Sequence, residues 1–136
     1  MGNTLIGKKD NGSSYKVLLI DDSVFVIKRL SKILELQGFE IVATAEDGEK
    51  GIEQYKTFYP NIDLVMLDIT MPNVDGMETL KRILEFDKDA KILMVSALGK
   101  EELIKEALII GAKSFVTKPV EEDKIIPKIQ QILNRK

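Results

Sequence analysis

Asp68 stands where an unbroken apolar run, Leu64-Val65-Met66-Leu67, gives way to polar chain. Three other apolar runs end in the same manner. Val17-Leu18-Leu19-Ile20 leads into Asp21-Asp22-Ser23, Ile92-Leu93-Met94-Val95 into Ser96-Ala97, and Phe115-Val116 towards Lys118-Pro119. The chain has no cysteine and no histidine, so thiol nucleophiles, zinc-thiolate sites and imidazole bases are excluded. What remains is three carboxylates, a hydroxyl and a lysine. Crowded carboxylates repel, which raises the proton affinity of at least one unless a cation joins them. An oxygen-only donor set suits Mg²⁺, which takes few protein ligands and completes its shell with water and phosphate oxygens. A lysine beside such a site is a point charge for a transferring phosphoryl group. A hydroxyl at Ser96 can hydrogen-bond a phosphoryl oxygen, with room left by Ala97. A carboxylate nucleophile in this setting forms an aspartyl phosphate.

Taken singly, each residue has an ordinary structural use. Asp21, Asp22 and Ser23 are a good helix cap, Asp68 suits a turn, Ser96 a loop and Lys118 a solvated surface. The reading depends on whether the fold brings them together. The four apolar runs, with Ile41-Val42-Ala43, read as five strands covered on both faces. Between them the apolar spacing turns helical: Ile27, Leu30 and Leu34 up to Gly38; Ile52, Tyr55 and Tyr59, opened by Asp47-Gly48 and stopped by Pro60; Met77, Leu80, Ile83 and Leu84; Leu103, Ala107 and Leu108, closed by Gly111; and Ile125, Ile129, Ile132 and Leu133. Ser23 is the expected N-cap of the first helix, and Met71, Pro72, Asp75 and Gly76 are expected to turn the chain into the third. Pro127 would cost about 3 kcal/mol inside a helix, so the last helix is expected to start late or bend there.

Five strand-helix units predict one α/β domain: a flavodoxin-like (βα)5, doubly wound parallel sheet of order 2-1-3-4-5. In such a sheet, ligands bind outside the carboxyl ends of the strands. Strands one, three, four and five are neighbours in that order, so Asp21, Asp22, Asp68, Ser96 and Lys118 are expected on one rim.

The bulk properties agree with a single domain. At 136 residues, roughly 70% of the unfolded surface can be buried, and 44% hydrophobic with 31% charged residues is an ordinary globular balance. A net charge of −2 gives no footprint for nucleic acid. No apolar run approaches membrane-spanning length, no signal-peptide pattern is present, and Ile6 breaks the myristoylation pattern begun by Met1-Gly2, so a cytoplasmic location is expected. Residues 1–14, rich in glycine, asparagine and lysine, are expected to be a flexible tail before a domain spanning 15–136.

The stretches Leu-Leu-Ile-Asp21-Asp22-Ser, Leu-Asp68-Ile-Thr-Met-Pro-Asn-Val-Asp75-Gly76, Ser96-Ala97 and Lys118-Pro119 occur in the order and at the distances of a known family. Over about residues 15 to 135, the chain resembles the response-regulator receiver domain of two-component signalling. The resemblance implies that Asp68 is the phosphoacceptor and a histidine kinase the donor. It implies Mg²⁺ held by Asp22, Asp68 and the backbone carbonyl of Thr70, with Asp21 acting through water. Lys118 would pair with the phosphoryl group, before a cis bond to Pro119. Ser96 would swing toward a phosphoryl oxygen, and Phe115 would be an aromatic switch turning inward with it, in a place where many relatives have tyrosine. The side chains of Thr70 and Leu98 would tune dephosphorylation.

With no output segment after the last helix, the resemblance implies a stand-alone receiver that is not an enzyme beyond its own phosphotransfer and dephosphorylation. Its output would be binding, through the face of helix four, strand five and helix five around Glu102 to Gln130. Ser-Ala-Leu-Gly after strand four and Gly-Ala-Lys-Ser-Phe-Val-Thr-Lys-Pro place it nearest the chemotaxis members, which act on a flagellar motor switch protein. A phosphatase is a further implied partner. A phosphorelay intermediate or phosphate sink would have the same marks. A haloacid-dehalogenase-like phosphatase would carry a second acid at position 70, where Thr70 stands. An FMN carrier would need a phosphate-binding loop after strand one, where Asp21-Asp22 would repel the phosphate.

Overall fold

The computed structural model describes residues 5–71 and 75–134. Five strands, β1 (Lys16–Ile20), β2 (Glu40–Ala45), β3 (Leu64–Leu67), β4 (Ile92–Ser96) and β5 (Ser114–Thr117), alternate with five helices. The helices are α1 (Val24–Leu36), α2 (Gly48–Phe58), α3 (Gly76–Phe86), α4 (Glu101–Ile110) and α5 (Glu122–Asn134). All four strand pairings are parallel, and the sheet order is β2-β1-β3-β4-β5. This is the flavodoxin-like fold expected from the run of strand-helix units.

Alternation along the strands divides the interior into two cores. Leu18, Ile20, Val65, Leu67, Ile92 and Met94 face α2, α3 and α4, whereas Val17, Leu19, Leu64, Met66, Leu93 and Val95 face α1 and α5. Both faces of β1, β3 and β4 are therefore dry, which explains their unbroken apolar runs. The helix starts follow local chemistry: the Ser23 hydroxyl accepts from the Val26 N–H, and carboxylates of Asp47 and Asp75 accept from Lys50 and Glu78. Gly111 ends α4 at a φ of 137°. Pro127 is the sixth residue of α5, so the N–H it lacks would have met Asp123 in the first turn.

The expected flexible tail needs correction over its described part. The Gly7 N–H donates to the Gln37 carbonyl at 2.8 Å, and the Gly7 carbonyl accepts from Tyr15 at 2.7 Å. Ile6 packs on the α1/α5 core, and Lys9 lies 3.5 Å from Asp63. Gly7 is buried so closely that a Cβ there would stand 2.3 Å from the Phe39 nitrogen. Composition suggested mobility, but Ile6, Lys9 and the backbone of Gly7 tie this segment to the domain. Residues 1–4, 72–74 (with Pro72 of the expected turn) and 135–136 lie outside the described residues. Among the described residues, no helix is long and apolar enough to cross a membrane.

Candidate functional site

The four neighbouring strands β1, β3, β4 and β5 deliver their chemistry to the same end. Asp68 follows β3 and is 3% exposed, and its N–H donates to the Ile20 carbonyl at 2.9 Å, which ties it to the end of β1. Asp21 follows β1, is 2% exposed, and donates its N–H to the Ala45 carbonyl at 3.0 Å. Its Oδ1 accepts from the Ser23 N–H, so one oxygen is used locally while the other faces the site. Asp22 is exposed at the rim. One carboxylate oxygen from each of Asp21, Asp22 and Asp68 can be chosen so that all lie within 4.8 Å of one another.

Lys118 completes the cluster from the far side. Its Nζ lies 3.0 Å from Asp21 Oδ2 and 3.7 Å from Asp68 Oδ2. The Lys118 N–H donates to the Ser96 carbonyl at 2.8 Å, which continues the β4–β5 ladder to the residue before the cis Lys118–Pro119 bond. Ser96 is wholly buried, and its Oγ accepts from the Leu98 N–H at 3.1 Å. Ala97 beyond it is exposed. Phe115, expected to turn inward on activation, already lies inward, 7% exposed in the core beneath α2, α3 and α4.

The electrostatics are those of a charge-crowded pocket short of positive charge. Burial, and then Asp21, push the Asp68 carboxyl up to about 6, with Asp22 adding to the rise. Lys118 and the Thr70 backbone N–H pull the other way without cancelling it. Of the three acids, Asp21 and Asp68 pair with Lys118. Such an all-oxygen donor set fits a hard divalent cation such as Mg²⁺, which would favour the ionised form of Asp68.

The start of α3 presses on this site. A Cβ on Gly76 would fall 2.1 Å from the Asp68 carbonyl oxygen, and the Gly76 N–H donates to the Ile69 carbonyl. The glycine expected merely to turn the chain is thus required by close approach to Asp68 itself. Thr70 is exposed beside Asp68, and Leu98 is 42% exposed beyond Ser96. The structure therefore brings Asp21, Asp22, Asp68 and Lys118 into one cluster, with Ser96 tied to the Lys118 backbone. One contact to this region had no local signal: the Arg29 side chain reaches the Val120 carbonyl across 91 residues of sequence.

Residues 17–130 match the response regulator receiver domain. The chain is 50% identical over 127 residues to the chemotaxis protein CheY of Treponema pallidum, covering 93% of this chain and 88% of that protein. It is 40% identical over 121 residues to CheY of Bacillus subtilis, covering 89% of this chain and 99% of that protein. Among solved structures it is similar to the CheX-CheY-BeF3-Mg complex from Borrelia burgdorferi, with a TM-score of 0.96 and 46% identity over 98% of this chain and 100% of that one. With the fold, the acid cluster and these likenesses in agreement, the chain belongs to the response regulator receiver domain family, as a CheY-like member.

Proposed function

We propose that the chain is a phosphoacceptor response regulator, phosphorylated on Asp68 by a CheA-like histidine kinase, that controls a flagellar motor through phosphorylation-dependent binding to a FliM-like switch protein. The observation that carries this reading is a buried carboxylate at a strand end, flanked by two more carboxylates and a lysine. A likeness to proteins named for chemotaxis over nearly the whole chain supports the output.

In the proposed reaction the Asp68 carboxylate bonds to phosphorus as the donor's P–N bond breaks, the imidazole keeping the electron pair and taking up a proton. Asp22, Asp68 and the Thr70 carbonyl would hold Mg²⁺, with Asp21 acting through water, and the bound ion would supply positive charge for the phosphoryl oxygens and for the crowded acids. Lys118 exchanges its carboxylate partners for a phosphoryl oxygen. Ser96 gives up its contact with the Leu98 N–H to do likewise, and Phe115 keeps the space behind it filled. The new charge shifts a pre-existing equilibrium, which a partner on the α4-β5-α5 face then selects. A relative is seen in complex with CheX, BeF3 and magnesium, which supports a CheX-like protein among the partners here; a phosphatase is a further proposed partner. Cytoplasmic placement follows from such partners.

Incubation with acetyl phosphate and Mg²⁺ is expected to add one phosphoryl group by intact-mass analysis, and Asp68→Asn to abolish it. Labelling that survives in this variant removes Asp68 as acceptor. For the output, a motor-switch fragment is expected to retain the protein only with beryllofluoride and Mg²⁺. Equal retention without the mimic argues for a phosphorelay or phosphate-sink role instead.

A further inference from the structure

Arg29 lies on the helix that begins directly after the paired acids and is capped by Ser23. Its Nε–H donates to the Val120 carbonyl at 2.8 Å in a partly buried contact. Val120 is two residues beyond Lys118, and its side chain is 2% exposed within the α1/α5 core. At the other end of this short segment, the Lys118 N–H is bonded to Ser96. Residues 118–120 are therefore strung between two fixed points, the end of β4 and the middle of α1. A hydrogen bond from a guanidinium is charge-assisted, stronger and shorter than one between neutral groups. Among the described residues, no other side chain on α1 bonds the backbone of this segment.

We infer that Arg29 is a positioning residue for phosphoryl transfer: by fixing Val120 it sets where the Lys118 ammonium stands relative to Asp21 and Asp68. The inference rests on the proposed roles of Asp68 and Lys118. α1 thus contributes to the site twice, through the acids before its first turn and through a brace on the loop that carries the lysine. Without the brace, the segment keeps its Ser96 anchor and the buried Val120 side chain, but the Val120 carbonyl loses its fixed partner and the lysine gains freedom to drift from the acids. Small misplacements of a charged group at a reacting centre are costly in rate.

A double-mutant cycle separates this role from general support of the fold. Phosphoryl uptake from acetyl phosphate with Mg²⁺ is measured for the wild type, Arg29→Ala, Lys118→Ala and the double variant. Arg29→Ala is expected to slow uptake about tenfold. In the Lys118→Ala background the same change is expected to alter the rate by less than about twofold, because the group it positions is gone. Wild-type uptake in Arg29→Ala, or an equal fold loss with and without Lys118, overturns the inference. Should Arg29→Ala not fold, Arg29→Gln, which keeps an amide donor but not the charge, is compared by the same two criteria. Where uptake by the Lys118 variants is too slow to follow, the cycle is read on beryllofluoride affinity by ¹⁹F NMR, with the same outcomes. Failure of the underlying reading looks different: the wild type takes up nothing or Asp68→Asn is labelled as before, and the inference falls with it.

Discussion

To attack phosphorus as proposed, Asp68 has to be ionised, yet its surroundings favour the proton. Burial and the neighbouring Asp21 lift it from an ordinary 3.8 to about 6. Between those values the folded chain holds more protons than the unfolded chain, so stability is expected to fall as pH rises from about 4 to about 6 and to stay lower above that. The loss amounts to ~3 kcal/mol at most. Urea unfolding in EDTA at either end of this range measures it, and Asp68→Asn removes this contribution. That variant is expected to be more stable than the wild type at pH 7.5 by about 1–3 kcal/mol while losing phosphoryl uptake. A variant less stable at pH 7.5 would show that Lys118 already neutralises the site. Stability and reactivity oppose each other at this one residue.

At the scale of elements, two glycines separate support of the site from support of the fold. A Cβ on Gly76 would overlap the Asp68 backbone, and one on Gly7 would overlap the backbone of Phe39, on the edge-strand side near the starts of the strands. Both Gly76→Ala and Gly7→Ala are expected to lose about 1–3 kcal/mol in urea unfolding. Only Gly76→Ala is expected to slow phosphoryl uptake in protein that remains folded. Equal uptake by the two variants would mean that the start of α3 tolerates displacement without moving Asp68. These glycines also show how far sequence reading reaches. The strand ends at Asp21, Asp68, Ser96 and Lys118 were legible because a parallel sheet turns apolar runs into neighbours and places their ends on one rim. The anchoring of residues 5–14 was not legible, since its bonds to Gln37 and Asp63 depend on where distant turns finish. Arg29 escaped for the same reason: its partner lies 91 residues away and is a backbone carbonyl, which has no sequence signature.

For the whole molecule, a cation that binds only the folded acid cluster must stabilise the entire domain. At a Mg²⁺ concentration about a hundred times its dissociation constant, the gain is about 2.7 kcal/mol by mass action. Thermal unfolding with and without Mg²⁺ is expected to show this shift in the wild type and to show little in Asp22→Asn, whose exposed side chain leaves the core untouched. A full shift in that variant would remove Asp22 from the ligand set. The anchored segment before β1 has a practical consequence of a different kind. It joins the domain where the strands begin, whereas the acids sit where they end, and the five residues of β1 alone span ~16 Å. A fluorophore placed on the exposed Asp10 of this segment is therefore held away from the carboxylate cluster, and is expected to report partner binding without shielding the proposed chemistry.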